Sequence, residues 1–201
     1  MSLPIILLAA GASSRMGGRD KLLEPIHGEP LLARMARMAC TVSDCVIVAL
    51  PPPPHPRYGA LGESGAHPIP VPDAAEGMNA SLRAALAALP GDAPAFLLLL
   101  ADLPDIRAED ITAVLTAREN HPEALIWRAA TEDGKPGHPI IFSAALFPQI
   151  AALQGDDGAK SVVKAARGRI HLIPLPGERA RLDLDTPADW SAWRARHEIP
   201  H

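Results

Sequence analysis

Leu3-Pro4-Ile5-Ile6-Leu7-Leu8-Ala9-Ala10-Gly11-Ala12-Ser13-Ser14-Arg15-Met16-Gly17-Gly18-Arg19-Asp20-Lys21 is the stretch that decides how this chain folds. Its first eight residues are a continuous apolar run. Bounded by a glycine, such a run reads as a strand buried on both faces of a parallel sheet. The loop that follows holds three glycines, two serines and three cations. Glycine lets backbone N–H groups approach phosphate oxygens, arginine adds a planar donor fork, and lysine adds a point charge. The combination suits a polyphosphate; a basic surface turn is the competing reading. Gly11 and Gly17 lack the spacing of G-x-G-x-x-G, and no G-K-[ST] closes a Walker A loop, which disfavours a dinucleotide dehydrogenase and a P-loop ATPase.

Beyond the loop, Leu31, Leu32, Met35, Met38 and Ala39 recur at helical spacing with Arg34 and Arg37 between them, predicting a helix that starts near Pro30. Residues 45–50 form the next buried strand, stopped by the proline run at 51–54, because proline cannot donate to a ladder. Residues 51–72 read as irregular. A helix over 81–89 leads into a third apolar strand over 95–101, closed by Asp102. The pattern continues with a helix over 108–119, strands over 124–129 and 139–142, helices over 144–153 and 159–167, and a strand over 170–173. This alternation predicts an α/β three-layer sandwich with a mainly parallel sheet and ligands at the carboxyl ends of its strands. A length of 201 residues suits one domain over 1–201.

Composition narrows the function. The chain is 48% hydrophobic, 21% charged and only 3% aromatic, with a net charge of −4. Its cations are scattered, without the run that tracks a nucleic-acid backbone, so polymeric nucleic acid is not expected as a partner. Cys40 and Cys45 lack the second ligand pair of a structural zinc site and read as reduced core thiols. The sequence shows no export signal and no apolar run long enough to span a bilayer, so a cytoplasmic setting and no membrane are expected.

The run L-A-A-G-x-S-x-R-M-G over residues 8–17, followed by Lys21-Leu22-Leu23, resembles the signature of nucleotidyltransferases with the GT-A-like (nucleotide-diphospho-sugar transferase) fold. Further blocks are similar to those of molybdenum-cofactor cytidylyltransferases, of the MobA-like NTP transferase family. They are Gly77-Met78-Asn79-Ala80-Ser81-Leu82-Arg83, Ala101-Asp102-Leu103-Pro104, Pro136-Gly137-His138-Pro139, Gly155-Asp156-Asp157-Gly158-Ala159-Lys160 and Leu182-Asp183-Leu184-Asp185-Thr186-Pro187. The resemblance implies an Mg²⁺-dependent enzyme that transfers CMP from CTP to molybdopterin or its molybdenum form and releases pyrophosphate. It further implies a molybdoenzyme or its maturation chaperone as the protein that receives the product. Ala10 in A-A-G, where the guanylyl branch has A-G-G, is similar to the cytidylyl branch.

The resemblance also implies roles for residues. Ala10, Gly11, Ala12, Arg15 and Lys21 would hold the nucleotide, Asp102 would bind the metal, and Arg15, Lys21 and Asp102 would form the catalytic set. The chemistry of Asp102 agrees independently, since a carboxylate ending a buried strand sits where an α/β sheet places ligands, and hard oxygens suit Mg²⁺. Asp183, ahead of Asp185, is the candidate second metal ligand; the alternative is that Thr186, Pro187 and Asp189 simply start a helix. Gly77, Asn79 and Ser81 open a helix and are placed at the base or ribose, with plain capping as the alternative. His138 is placed on the acceptor side, with a structural histidine as the alternative. Other acceptors of the same fold, such as sugar phosphates or methylerythritol phosphate, remain open, as do GTP as donor, a non-catalytic nucleotide or cofactor carrier, and a glycosyltransferase, which the R-M-G loop disfavours.

Overall fold

The computed structural model describes residues 2–197; the remainder of the 1–201 span lies outside it. β1 (Ile5–Leu8) is fully buried and lies between two parallel neighbours, β4 (Val46–Leu50) and β6 (Ala95–Leu100). Leu8 is paired with both Ala49 and Leu100, so the carboxyl ends of the three strands finish level. Ile5 and Leu7 face one core, whereas Ile6 and Leu8 face the other, as the two-residue period of a strand requires. The first core is covered by α1 (Leu31–Val42), α4 (Ala108–Asn120) and α7 (Pro187–Arg196), which contribute Met35, Ile111 and Trp190. The second is covered by α3 (Met78–Ala87), α5 (Phe147–Ala151) and α6 (Lys160–Ala165), through Leu82, Ile150 and Val162. Helices on both faces of one sheet are the expected three layers.

The sheet has seven strands in the order β5-β4-β1-β6-β8-β7-β9, where β5 is His67–Pro70, β7 is Ile126–Ala130, β8 is Pro136–Ser143 and β9 is Ile170–Pro174. Only β8 runs antiparallel to its neighbours. A two-stranded ribbon, β2 (Pro25–Ile26) with β3 (Glu29–Pro30), links the glycine loop to α1 and buries Ile26. No helix among the described residues is long and apolar enough to cross a membrane.

Residues 51–72, expected to be irregular, instead hold α2 (Pro56–Leu61) and the edge strand β5. An edge strand pairs on one side only, so Pro68 and Pro70 cost it little, and the next residue, Val71, donates its N–H to the Leu50 carbonyl at 2.9 Å. The helix expected over 144–153 shrinks to a 3-10 turn and α5, with Pro148 in its first turn. The strand expected over 139–142 doubles in length. Cys40 and Cys45 are unbonded and only half-buried, with their thiols pushed up by burial.

Candidate active site

The glycine loop leaves β1 beside the end of β6, where the Ala101 N–H donates to the Leu8 carbonyl at 3.2 Å. Three residues in the loop take left-handed backbone: Ser13 at φ 52°, Gly17 at 62° and Gly18 at 89°. A side chain at Gly11 would meet only open space within 4 Å, so its smallness leaves the loop backbone accessible to a ligand rather than serving a packing contact.

The loop's shape is fixed by a residue that the sequence did not single out. Arg57 of α2 is 1% exposed and reaches beneath the loop. Its Nε and Nη2 donate to both oxygens of Asp20 at 2.7 Å each, Nη1 donates to the Ala9 carbonyl at 2.6 Å, and Nη2 also donates to Ser13 Oγ at 3.1 Å. One guanidinium thus clasps both ends of the loop. Burial raises the Asp20 carboxyl, but the Arg57 hydrogen bond and charge outweigh it and hold Asp20 below its ordinary value. Its other bonds, from the Leu22 N–H and the Ser13 hydroxyl, keep the chain tight just before Lys21.

Lys21 then points to the carboxyl end of β6. Its Nζ donates to Asp102 at 2.5 Å and to Asp185 at 2.7 Å, while Arg15 reaches Asp185 at 2.6 Å. Burial would lower Lys21, yet the Asp102 charge, followed by Asp185, holds it above its usual value. Asp185 arrives from the far end of the chain because the Leu184 N–H donates to the Asp102 carbonyl at 3.2 Å and the Leu184 side chain is buried in the first core. That anchor leaves Asp183 and Asp185 on the open side. Carboxylate oxygens of Asp102, Asp183 and Asp185 all lie within 4.8 Å of one another. Asp183 is pushed up by burial and by the adjacent Asp185 carboxylate. Asp185 stays below its ordinary value because Lys21 outweighs its burial.

A divalent cation fits this cluster. Asp102 Oδ1 is buried with no hydrogen-bond partner, and three crowded carboxylates of hard oxygen character surround the same point. The sequence ranked Asp185 below Asp183 because the helix start seemed to account for it. The structure shows that Thr186 and Asp189 form the α7 cap by themselves, which frees the Asp185 side chain for Lys21 and Arg15.

Above the cluster opens a cavity of about 360 Å³, lined by Ala10, Gly11, Ala12, Lys21, Gly77, Ser81 and Asp102 among others. Nine of the expected site residues therefore share one neighbourhood: these seven, Asp183 in the carboxylate cluster, and Arg15, which reaches it through Asp185. Asn79 does not line it, a correction to its expected grip on base or ribose. Its side chain is buried, with Nδ2 donating to the Gln154 carbonyl at 2.7 Å, so it anchors the loop at residues 154–158. Gly77 is needed by that same loop: at φ 122°, a Cβ there would stand 2.5 Å from the Asp156 Cβ. Glu76 and Arg83 staple the loop from outside: the Arg83 guanidinium and the Gly155 N–H each donate to the Glu76 carboxylate, and these bonds, that from Arg83 first, bring its carboxyl to about 2.

His138 lies apart from the carboxylate cluster, in a second cavity of about 590 Å³ that shares Met78 and Asp156 with the first. Burial, with the Arg128 charge beside it, pulls its imidazole down to about 4, so it is neutral near pH 7.

Residues 5–170 match the model of the MobA-like NTP transferase domain. A protein of Synechococcus elongatus named "Probable molybdenum cofactor guanylyltransferase" is 33% identical, over 92% of this chain and 95% of its own. The crystal structure of Rv0371c from Mycobacterium tuberculosis H37Rv superposes with a TM-score of 0.81 at 27% identity, covering 96% of this chain and 97% of that one. Its structure in complex with manganese gives 0.78 at 26% identity, over 96% and 97% of the two chains. A glycine loop with Lys21 aimed at strand-end carboxylates, on a GT-A-like sheet, is thus found in a chain that belongs to the family of MobA-like NTP transferase domains, and it is a nucleotidyltransferase.

Proposed function

We propose that this chain, acting as one domain in the cytoplasm, transfers a nucleotidyl group from a nucleoside triphosphate to the phosphate of a molybdopterin-type acceptor. The observation that carries the reading is Lys21 Nζ held between Asp102 and Asp185 at the mouth of the glycine loop. An acceptor phosphate oxygen forms a new bond to the α-phosphorus, the α–β bridging P–O bond breaks, and pyrophosphate leaves with that bond's electrons. The acceptor oxygen is already anionic, so no protein nucleophile or base is required. Alignment and charge stabilisation carry the rate. Arg15 and Lys21 exchange their carboxylate partners for the triphosphate, and the loop N–H groups left open at Gly11 take phosphate oxygens. Asp102, with Asp183 and Asp185, would hold Mg²⁺ or a similar divalent ion, which supplies Lewis-acid neutralisation of the phosphates when bound.

Two bases are supported by different observations. Ala10 in A-A-G, at the wall of the cavity, resembles the cytidylyl branch and favours cytosine, whereas the name of the Synechococcus relative favours guanine. The test is pyrophosphate release by the purified protein with Mg²⁺ and molybdopterin or its molybdenum form, with CTP, GTP, ATP and UTP offered separately. Release with CTP alone supports the Ala10 reading and release with GTP alone replaces it. Silence with all four sinks the proposed acceptor or the catalytic role itself. A molybdoenzyme or its maturation chaperone is the proposed recipient of the product.

A further inference from the structure

The block Pro136-Gly137-His138-Pro139 lies outside the carboxylate cluster, yet it holds the strap that carries two of its members. β8 bulges there: Pro136 pairs with Ala130 and Ile140 with Arg128, so Gly137, His138 and Pro139 stand opposite Ala129 alone. A bulge interrupts the ladder and frees backbone groups for other partners. Here the His138 N–H donates to the Ala180 carbonyl at 2.8 Å. Ala180 belongs to the strap over residues 175–185, which leads from β9 to α7 and carries Asp183 and Asp185. A Cβ at Gly137 would stand 2.1 Å from that same carbonyl oxygen and 2.8 Å from the Ala180 Cβ. Gly137 is not among the glycines with positive φ, so the closeness of the strap, rather than backbone conformation, is what demands a glycine.

Neither side of this contact is free to retreat. The Gly137 carbonyl accepts a bond from Arg128 Nε at 2.9 Å, and Ala180 is buried in the first core. Further along the strap, the Leu184 N–H donates to the Asp102 carbonyl at 3.2 Å. The strap is thus pinned at Gly137 and again at Asp102, with Asp183 between the pins and Asp185 directly after the second. A turn takes up the slack between them: the Leu182 N–H donates to the Glu178 carbonyl at 2.9 Å and the Asp183 N–H to the Arg181 carbonyl at 3.0 Å. We propose that Gly137 is a positioning residue for the divalent ion: by letting Ala180 lie directly against β8, it sets where Asp183 and Asp185 stand opposite Asp102. The proposal rests on the metal role given to those carboxylates above. A methyl group at position 137 forces the strap outward by about 1 Å before ordinary contact is restored. Misplacement on that scale can cost a functional site about 100-fold.

The test is binding of Mn²⁺ alone to the full chain, read from the electron paramagnetic resonance of the free ion, so that no turnover is involved. Gly137→Ala should weaken Mn²⁺ binding about tenfold or more. Ile150→Ala opens a cavity in the second core, on the other face of the sheet, and is the control for lost stability. It should hold Mn²⁺ within about twofold of wild type, as a distant, independent site does. Ala180→Gly is the second variant should Gly137→Ala fail to fold. It loosens the same pin from the strap's side and should weaken Mn²⁺ about threefold, the scale of glycine's added backbone freedom. Wild-type affinity in these variants, or a loss no greater than that in Ile150→Ala, overturns the proposal. Asp102→Ala tells the two failures apart. If it abolishes Mn²⁺ binding while Gly137→Ala leaves it intact, the carboxylates hold the metal and the positioning role falls alone; if both leave it intact, the metal reading falls as well.

Discussion

Two groups of cations sit on either side of the wall made by Met78 and Asp156, and they are paired in opposite ways. On the glycine-loop side, Arg15, Lys21 and Arg57 each hold a carboxylate within 2.7 Å. On the other side, Arg128, Lys164 and Arg167 hold none among the described residues. The paired side divides again. Arg57 and Asp20 lie under the loop, away from the cavity that holds the carboxylate cluster, and serve its shape, whereas the partners of Lys21 and Arg15 are themselves candidate metal ligands. Asp102 and Asp185, if they held a divalent metal, would free Lys21 and Arg15 to turn toward phosphate. One half of the site therefore holds its cations in close carboxylate pairs, and the other leaves Arg128 without one among the described residues.

The largest effect should come from breaking the pair of Lys21 with Asp102. Asp102→Ala removes the carboxylate shared by Lys21 and the prospective metal, and kcat should fall by about 10² to 10³, the scale seen when a preorganised electrostatic group is lost. The check is single-turnover pyrophosphate release with saturating metal. Turnover near wild type would remove Asp102 from the metal site. Arg57→Ala should act on folding first. It leaves Asp20 without its partner beneath the loop, and breaking a mostly buried pair of this kind costs about 3 kcal/mol. Urea unfolding measures that loss, and a raised KM for the triphosphate should accompany it. Unchanged stability would mean that the clasp is idle.

The contrast also explains what could be read from the sequence. The glycine loop and Asp102 were legible because both sit at the ends of continuous apolar runs, where strand and ligand position are set within a few residues. Arg57 was not, because its target Asp20 is 37 residues away and α2 emerges from a proline run that read as irregular. Asp185 was undervalued for a related reason: a capping signal next to it accounted for the local residues, while its true partners are Arg15 and Lys21, brought close only by the return of the chain to Asp102. Asn79 failed in the other direction. Its place at a helix start suggested ligand contact, but whether such a side chain faces the cavity or the neighbouring loop depends on the loop at 154–158, which the local pattern does not specify. The apolar alternation that fixed the three layers is a short-range signal; side-chain pairing across the site is a long-range one.

A narrower effect should appear with pH on the unpaired side. The folded-state imidazole of His138 is pulled to about 4 against an ordinary 6.5. Between these values the unfolded chain binds a proton that the folded chain refuses, so stability is fully present above the ordinary value and is lost as pH falls toward 4. The loss attributable to His138 should be about 3 kcal/mol at the acid end. Urea melts of wild type and His138→Gln across that window should differ in slope, the variant being flatter. Parallel slopes would mean that the ring is protonated as readily folded as unfolded.

The smallest effect belongs to Lys160, which lines the same cavity as Arg128 but already stands on the exposed rim, 3.5 Å from Asp157. Exposed pairs of this kind contribute little because water and salt screen them. Lys160→Ala should therefore change the affinity for the molybdopterin-type acceptor less than about twofold, within the range of an exposed charge, and what change there is should vanish in high salt. Arg128→Ala should weaken it more and keep its effect in the same salt, because its guanidinium is half-buried and screened less. If the two variants respond alike, the cavity attracts anions only through its net charge, and the buried guanidinium on β7 gives no selectivity. If they part as expected, the position of a cation relative to solvent, rather than the number of cations around the rim, sets how strongly the second cavity draws an anion.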